Sequence, residues 1–127
     1  MSNPQVVNLA GKFAAFKEQF SPKIVGELNN FHVKVVKVQG EFMWHHHDLE
    51  DEMFLVVKGE LHMKLRDHDG RERDEVIRPG EFIIVPHGVE HMPYTREETH
   101  ILLIEPATTL NTGNVQNERT VAQLERI

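Results

Sequence analysis

The sequence predicts an all-β fold, a sandwich or barrel, with a short N-terminal helix and a C-terminal arm. Three observations point there. Apolar residues fall in short runs and alternations rather than in long helical stripes. Turn residues punctuate them at regular intervals: Asn29-Asn30, Lys58-Gly59, Asp67 to Gly70 and Pro79-Gly80. The length of 127 residues, with 39% hydrophobic and 27% charged, suits one domain with one core. Many short strands spaced by turns indicate a sandwich or barrel and not alternating strand and helix units.

In chain order, Leu9, Phe13, Phe16 and Phe20 recur at helical spacing, so residues 8–20 read as an amphipathic helix. Asn8 can cap its start, and Pro22 disfavours helix at Ser21 and ends it. The phenylalanine stripe is expected to pack on the barrel or on a partner. Strands are expected at 24–28 and 31–39, then at 53–57 and 60–66 as an antiparallel pair around Lys58-Gly59. Further strands are expected at 73–78, 82–85 and 100–105. The tail from residue 107 to 127 is polar until Val121, Leu124 and Ile127, and reads as a terminal helix or an arm.

Composition excludes several classes of function. A net charge of -6 without a concentrated basic stretch argues against a nucleic-acid partner. The absence of cysteine removes disulfides and thiolate metal sites. No apolar run approaches a membrane span or the core of a signal peptide, so no membrane partner and a cytoplasmic location are expected.

The segment GEFMWHHHDLEDEMFLVVKG, residues 40–59, concentrates the chemistry. In extended chain His45 and His47 share a face, while Trp44 and His46 take the other. If the acidic segment 48–51 bends the chain, Glu52 can return to complete a fan of two imidazoles and a carboxylate, donors suited to a divalent first-row metal. The same spacing fits a solvated polar turn equally well. A second segment, GEFIIVPHGVEH at 80–91, sets a strand before a Pro86/Gly88 turn that aims His91 at a defined place.

Together these segments resemble the two motifs of the cupin superfamily, in particular its small single-domain members. The first motif appears as His45-x-His47, four residues, Glu52, six residues, Gly59, and the second as Gly80, five residues, Pro86-x-Gly88, two residues, His91. The resemblance covers residues 31–106 and implies a double-stranded β-helix, or jelly-roll barrel. Residues 1–30 then form an N-terminal helix and strand extension, and 107–127 a tail, with one domain overall. It also implies that His45, His47, Glu52 and His91 bind one divalent metal, His45 and His47 through Nε2. Three imidazoles and one carboxylate leave positions open in an octahedral shell, which favours Fe, Mn, Ni or Co over Zn. Two positions depart from the family pattern: Gly40 stands four residues before the first ligand rather than five, and Thr95 takes a place where many cupins carry Asn.

Parity with the ligands nominates Met43 and Phe54 for a pocket, with Phe82 beside them and Val56 and Ile84 as plain core. His100 shares parity with Leu102 and Ile104 and is expected to face the pocket. His100 and Tyr94, with Glu41 by parity with Met43, are the candidate catalytic acids or bases outside the ligand set. His46 is expected on the surface or supporting the ligands, and His32, His62, His68 and His87 in solvent.

Cupins include dioxygenases, sugar-phosphate isomerases, epimerases and decarboxylases, so the resemblance implies a metal-dependent enzyme on a small polar or carboxylate-bearing molecule. Oxygenase or redox chemistry is favoured because it needs no separate base. A small-molecule binding or sensing module is the alternative. Sugar-phosphate isomerisation ranks lower, since Arg96 stands among Glu90, Glu97 and Glu98. The phenylalanine stripe and the apolar C-terminal repeat suggest a homodimer.

Overall fold

The architecture follows from one strand that serves two sheets. In a computed structural model, which describes residues 3–127, the chain forms α1 (Leu9–Ala14) and seven strands. These are β1 (Lys23–Leu28), β2 (Phe31–Glu41), β3 (Glu52–Lys58), β4 (Leu61–Arg66), β5 (Glu72–Ile77), β6 (Phe82–Val85) and β7 (Glu90–Pro106). The main sheet runs β1-β2-β7-β3-β6, and β4 joins β7 and β5. The start of β7 pairs with β4, from Glu90 opposite Arg66 to Tyr94 opposite His62. Its far half lies between β2 and β3. All named pairings are antiparallel, and the sheets enclose a jelly-roll barrel.

The core is the inner row of each strand. Along β3, Glu52, Phe54 and Val56 are buried while their neighbours are half-buried, the period of two that a sheet with a filled interior imposes. Val36, Val38, Leu61, Met63, Ile101 and Leu103 fill the same interior. Glu52 therefore opens an inward apolar row. A carboxylate there needs a partner inside the barrel.

The chain departs from the sequence expectation in three places. The helix stops at Ala14, because Phe20 N–H bonds to the Lys37 carbonyl at 2.8 Å and draws the following chain onto β2. Asn8 does cap the helix, accepting from Gly11 N–H at 2.9 Å. Strands β3 and β4 do not pair around Gly59, since both edges of β3 are taken by β6 and β7. Gly59, with φ of +91°, is instead the corner at which the chain changes sheets, and an added Cβ would lie 2.5 Å from Thr99 Oγ1. The last strand begins at Glu90 rather than His100.

The N-terminal stripe packs within its own chain. Phe13 and Phe16 are buried with Val35 on the outer face of β2, and Ile127 joins that cluster. The stripe is thus covered without a second chain. The tail is an arm with no helix, and Ile24 N–H and carbonyl bond to Glu125 and Ile127 at 2.9 and 3.1 Å.

Candidate metal centre

Main-chain pairing assembles the site before any ion is considered. His45 and His47 lie on extended chain between β2 and β3, and His91 follows the Pro86-Gly88 turn in β7. The turn is pinned to the ligand segment by Gly88 N–H donating to the His47 carbonyl at 2.8 Å. It is pinned again by His87, whose main-chain N–H and ring Nδ1 both meet Asp51 Oδ1 at 2.9 Å. Thr95 Oγ1 accepts from Gly40 N–H and donates to the Val38 carbonyl, each at 3.2 Å, so it ties the irregular end of β2 in place.

His45, His47, Glu52 and His91 are all buried, and their ligand atoms lie within 4.8 Å of one another. His45 Nδ1–H donates to the Met43 carbonyl at 2.9 Å and His91 Nδ1–H to the Val89 carbonyl at 2.8 Å. Both bonds fix the tautomer that leaves the Nε2 lone pair free. Glu52 Oε1 stands 3.3 Å from His47 Nε2 and 3.4 Å from His91 Nε2. These three atoms are buried without an aligned hydrogen-bond partner. Buried polar atoms are rarely left so. A divalent cation among them would satisfy all three, and two neutral imidazoles and a carboxylate are suitable donors for it.

The protonation states agree with that fit. Burial, and then the adjoining His91 ring, push the His45 pKa down to about 4, so its imidazole is neutral at neutral pH. Burial works to raise Glu52, yet the adjoining Glu105, His47 and His91 side chains hold it well below the usual carboxylate range. Glu105 moves the other way: burial, and then the Glu52 carboxylate, raise it well above that range. The opposite shifts make Glu52, rather than Glu105, the more readily ionised carboxyl of the two.

A cavity of about 60 Å³ opens over His45 and Glu52. Phe20, Phe42, Phe54, Ile101 and Leu103 supply apolar wall, and Glu105 and Asn111 are polar residues in it. Asn111 comes from the arm, which closes against the site at several points. His46 N–H and carbonyl bond to Asn114 at 2.9 and 3.0 Å. Arg119 lays its guanidinium 4.4 Å from the Phe20 ring centre and donates to the Glu41 carbonyl at 2.7 Å.

Of the residues nominated for the pocket, Phe54 lines the cavity. Met43 does not, and acts through its carbonyl on His45 while its sulfur faces Asn117. Phe82 points outward from β6, 54% exposed. His100 stacks on Phe13 at 4.5 Å, outside the barrel, because the inward row of β7 is Thr99, Ile101, Leu103 and Glu105. Tyr94 stacks on His62 at 4.8 Å away from the cavity. Val56 is core and Ile84 is exposed. His46 turns to Glu90 and Asp48, 3.0 Å from each. Glu105 was missed, as was the Lys34 bound to it. The signal lies in the ladder rather than in the sequence: Leu103 is opposite Phe54, and opposite residues share a face, which turns Glu105 inward.

A jelly-roll barrel with three imidazoles and a carboxylate buried together, two of the four on the wall of a cavity, defines a small β-barrel protein able to hold a metal ion. The chain belongs to the cupin family: the Cupin domain model matches residues 32–105. It is similar to the crystal structure of a cupin-2 domain containing protein from Shewanella frigidimarina, with 40% identity and a TM-score of 0.74. That match covers 80% of this chain and 94% of the other. It is 29% identical over 89 residues to an uncharacterized protein of Bacillus subtilis, YdbB, covering 70% of this chain and 75% of that protein. Hydroquinone 1,2-dioxygenase from a Sphingomonas species shares the fold, with a TM-score of 0.70 at 18% identity, over 79% of this chain and 32% of the other. Among the described residues no helix is long and apolar enough to cross a membrane.

Proposed function

We propose that the protein is a metal-dependent enzyme of the oxygenase or redox class, acting on a small polar or carboxylate-bearing molecule admitted through the cavity. The observation that carries this reading is the set of buried, unpartnered His47 Nε2, His91 Nε2 and Glu52 Oε1, beside a mostly apolar cavity. Fe, Mn, Ni or Co is favoured, with Zn the less suited alternative; when bound, such an ion would supply Lewis acidity and, for Fe or Mn, redox reactivity towards oxygen. The chain's own part is to hold that ion on four side chains, to admit substrate past aromatic walls and to exclude bulk water. The shared fold of hydroquinone 1,2-dioxygenase supports this class and no particular substrate.

Two features favour it over isomerisation of a sugar phosphate. No Lys or Arg lines the cavity to meet a phosphate. The one carboxyl in the wall outside the ligand set, Glu105, is already engaged by Lys34 and is not a free base. The homodimer belongs to the same proposal. It rests on the edge strand β6, where Phe82 and Ile84 are 54% and 55% exposed, and light scattering at the mass of a single chain would refute it.

The test is oxygen consumption by protein loaded anaerobically with Fe(II) and offered catechols, hydroquinones, diketones, thiol acids and sugar phosphates. Uptake with one substrate family, lost together with bound metal in Glu52→Ala, is the expected result. Thermal stabilisation by a compound with no product formed would instead support a binding or sensing module.

A further inference from the structure

His45, His47, Glu52 and His91 are 3%, 4%, 4% and 0% exposed, so neither an ion nor a substrate reaches them unless a wall moves. The cavity over His45 and Glu52 holds about 60 Å³, room for a few waters, whereas sites that enclose a small organic ligand run from about 300 Å³ upwards. Much of the wall is fixed. Val36, Val38, Phe54, Ile101 and Leu103 stand on β2, β3 and β7, whose ladders hold them. Phe20, Pro22, Phe42 and Asn111 lie outside the strands.

Phe20 and Phe42 are half-buried and stack on each other, with ring centres 5.4 Å and planes 13° apart, and the Phe42 ring meets His45 edge-on at 5.4 Å. The pair therefore spans from solvent to a candidate ligand. Phe20 sits at φ +57°, a left-handed conformation that is rare for a bulky residue and persists only where its surroundings impose it. One side chain of the arm meets both rings. Arg119 places its guanidinium 4.4 Å from the centre of Phe20 and 5.9 Å from that of Phe42, and beside them donates to the Glu41 carbonyl at 2.7 Å. Its main-chain carbonyl accepts from Asn111 Nδ2 at 2.8 Å. Arg119 thus touches three of the four wall residues outside the strands without lining the cavity itself.

We propose that the Phe20 and Phe42 rings are the gate of the metal centre and that Arg119 is the bolt that holds it shut. When the guanidinium leaves the rings and the Glu41 carbonyl, the strained Phe20 backbone can relax and the rings part over His45. The inference rests on the metal-binding reading of the site. It gives a residue of the arm control over traffic with the centre and none over the strength of binding there.

The test follows Co(II) into and out of the protein: uptake by stopped-flow absorbance, release by transfer to excess EDTA, and affinity by calorimetry. Arg119→Met keeps the length of the side chain and removes its charge and donors. It takes up and releases Co(II) about ten- to hundredfold faster than the wild type, both rates by the same factor, and its affinity is unchanged. A residue that merely supported the fold would weaken affinity through release alone. Phe20→Gly relieves the left-handed backbone and deletes the ring; it too speeds both rates, and adding Arg119→Met to it speeds them no further. Wild-type rates in either single variant overturn the inference. So do faster release without faster uptake, an Arg119→Met protein that does not fold, and full additivity of the two substitutions. Wild-type protein that takes up no Co(II) removes the metal reading itself, and this inference with it.

Discussion

His45 and His91 exchange both of their main-chain hydrogen bonds, His45 N–H to the His91 carbonyl at 3.0 Å and His91 N–H to the His45 carbonyl at 2.9 Å. Two candidate ligands from distant parts of the sequence are therefore directly opposed across a local β-bridge, with ring centres 4.2 Å apart. The backbone sets their separation and the side chains merely occupy it. This is preorganisation in the strict sense, since the groups are placed before an ion arrives.

Removing one imidazole should therefore separate binding from folding. In His91→Ala the main-chain pair persists and the far-UV circular dichroism is unchanged. Metal affinity falls by at least about a hundredfold, more than the loss typical of an outer supporting group. Calorimetric titration of the two proteins checks this; equal affinity would remove His91 from the site.

A second expectation concerns pH in metal-free protein. His45 has its pKa lowered from 6.5 to about 4, so between those values the unfolded chain binds a proton that the folded chain refuses. Stability from this group is fully present above about 6.5 and is lost as pH falls towards 4, by roughly 3 kcal/mol in all. Urea unfolding in the presence of a chelator at several pH values measures the slope. His45→Gln should flatten it.

The cluster of His45, His47, Glu52 and His91 was legible in the sequence through the two motifs that resemble those of cupins, in which a two-residue step gives shared orientation and Pro86 with Gly88 gives a turn. The facing of the last strand was harder to read. His100 to Glu105 is apolar on both sides, since the arm before β1 covers the outer face of the sheet with Phe13 and Phe16. Where both faces are covered, alternation no longer tells inside from outside, and His100 was placed inward while Glu105 was overlooked. The hairpin expected at Gly59 failed for a related reason, because local turn residues mark a change of direction and not which strands then pair.

Phe54 should be the most sensitive apolar residue of the cavity wall. Phe54→Ala removes a ring that is 6% exposed and packed in the main core, at a cost of about 3–5 kcal/mol. Chemical denaturation with an unchanged m-value would confirm a loss of packing. A cost under ~1 kcal/mol would show that the core closes over the gap.

The arm offers a sharper target at Gly113. Its φ is +57°, and a Cβ there would collide with the His46 carbonyl and lie 3.0 Å from His45 Cδ2. Gly113→Ala must lift the arm from the ligand segment, costing about 1–3 kcal/mol. Limited proteolysis should then cut between 107 and 121 faster than in the wild type while leaving the barrel intact.

The matched family domain ends at residue 105, yet Phe20, Pro22 and Asn111 of the cavity wall lie outside its span, as does the Arg119 that lies against Phe20. His45, His47, Glu52 and His91 all lie inside it. Two parts of one small chain thus build the site: the clustered imidazoles and carboxylate come from the barrel, while part of the cavity wall comes from the segments on either side of it. Exchanging those flanking segments would reshape the cavity and leave the four clustered side chains in place.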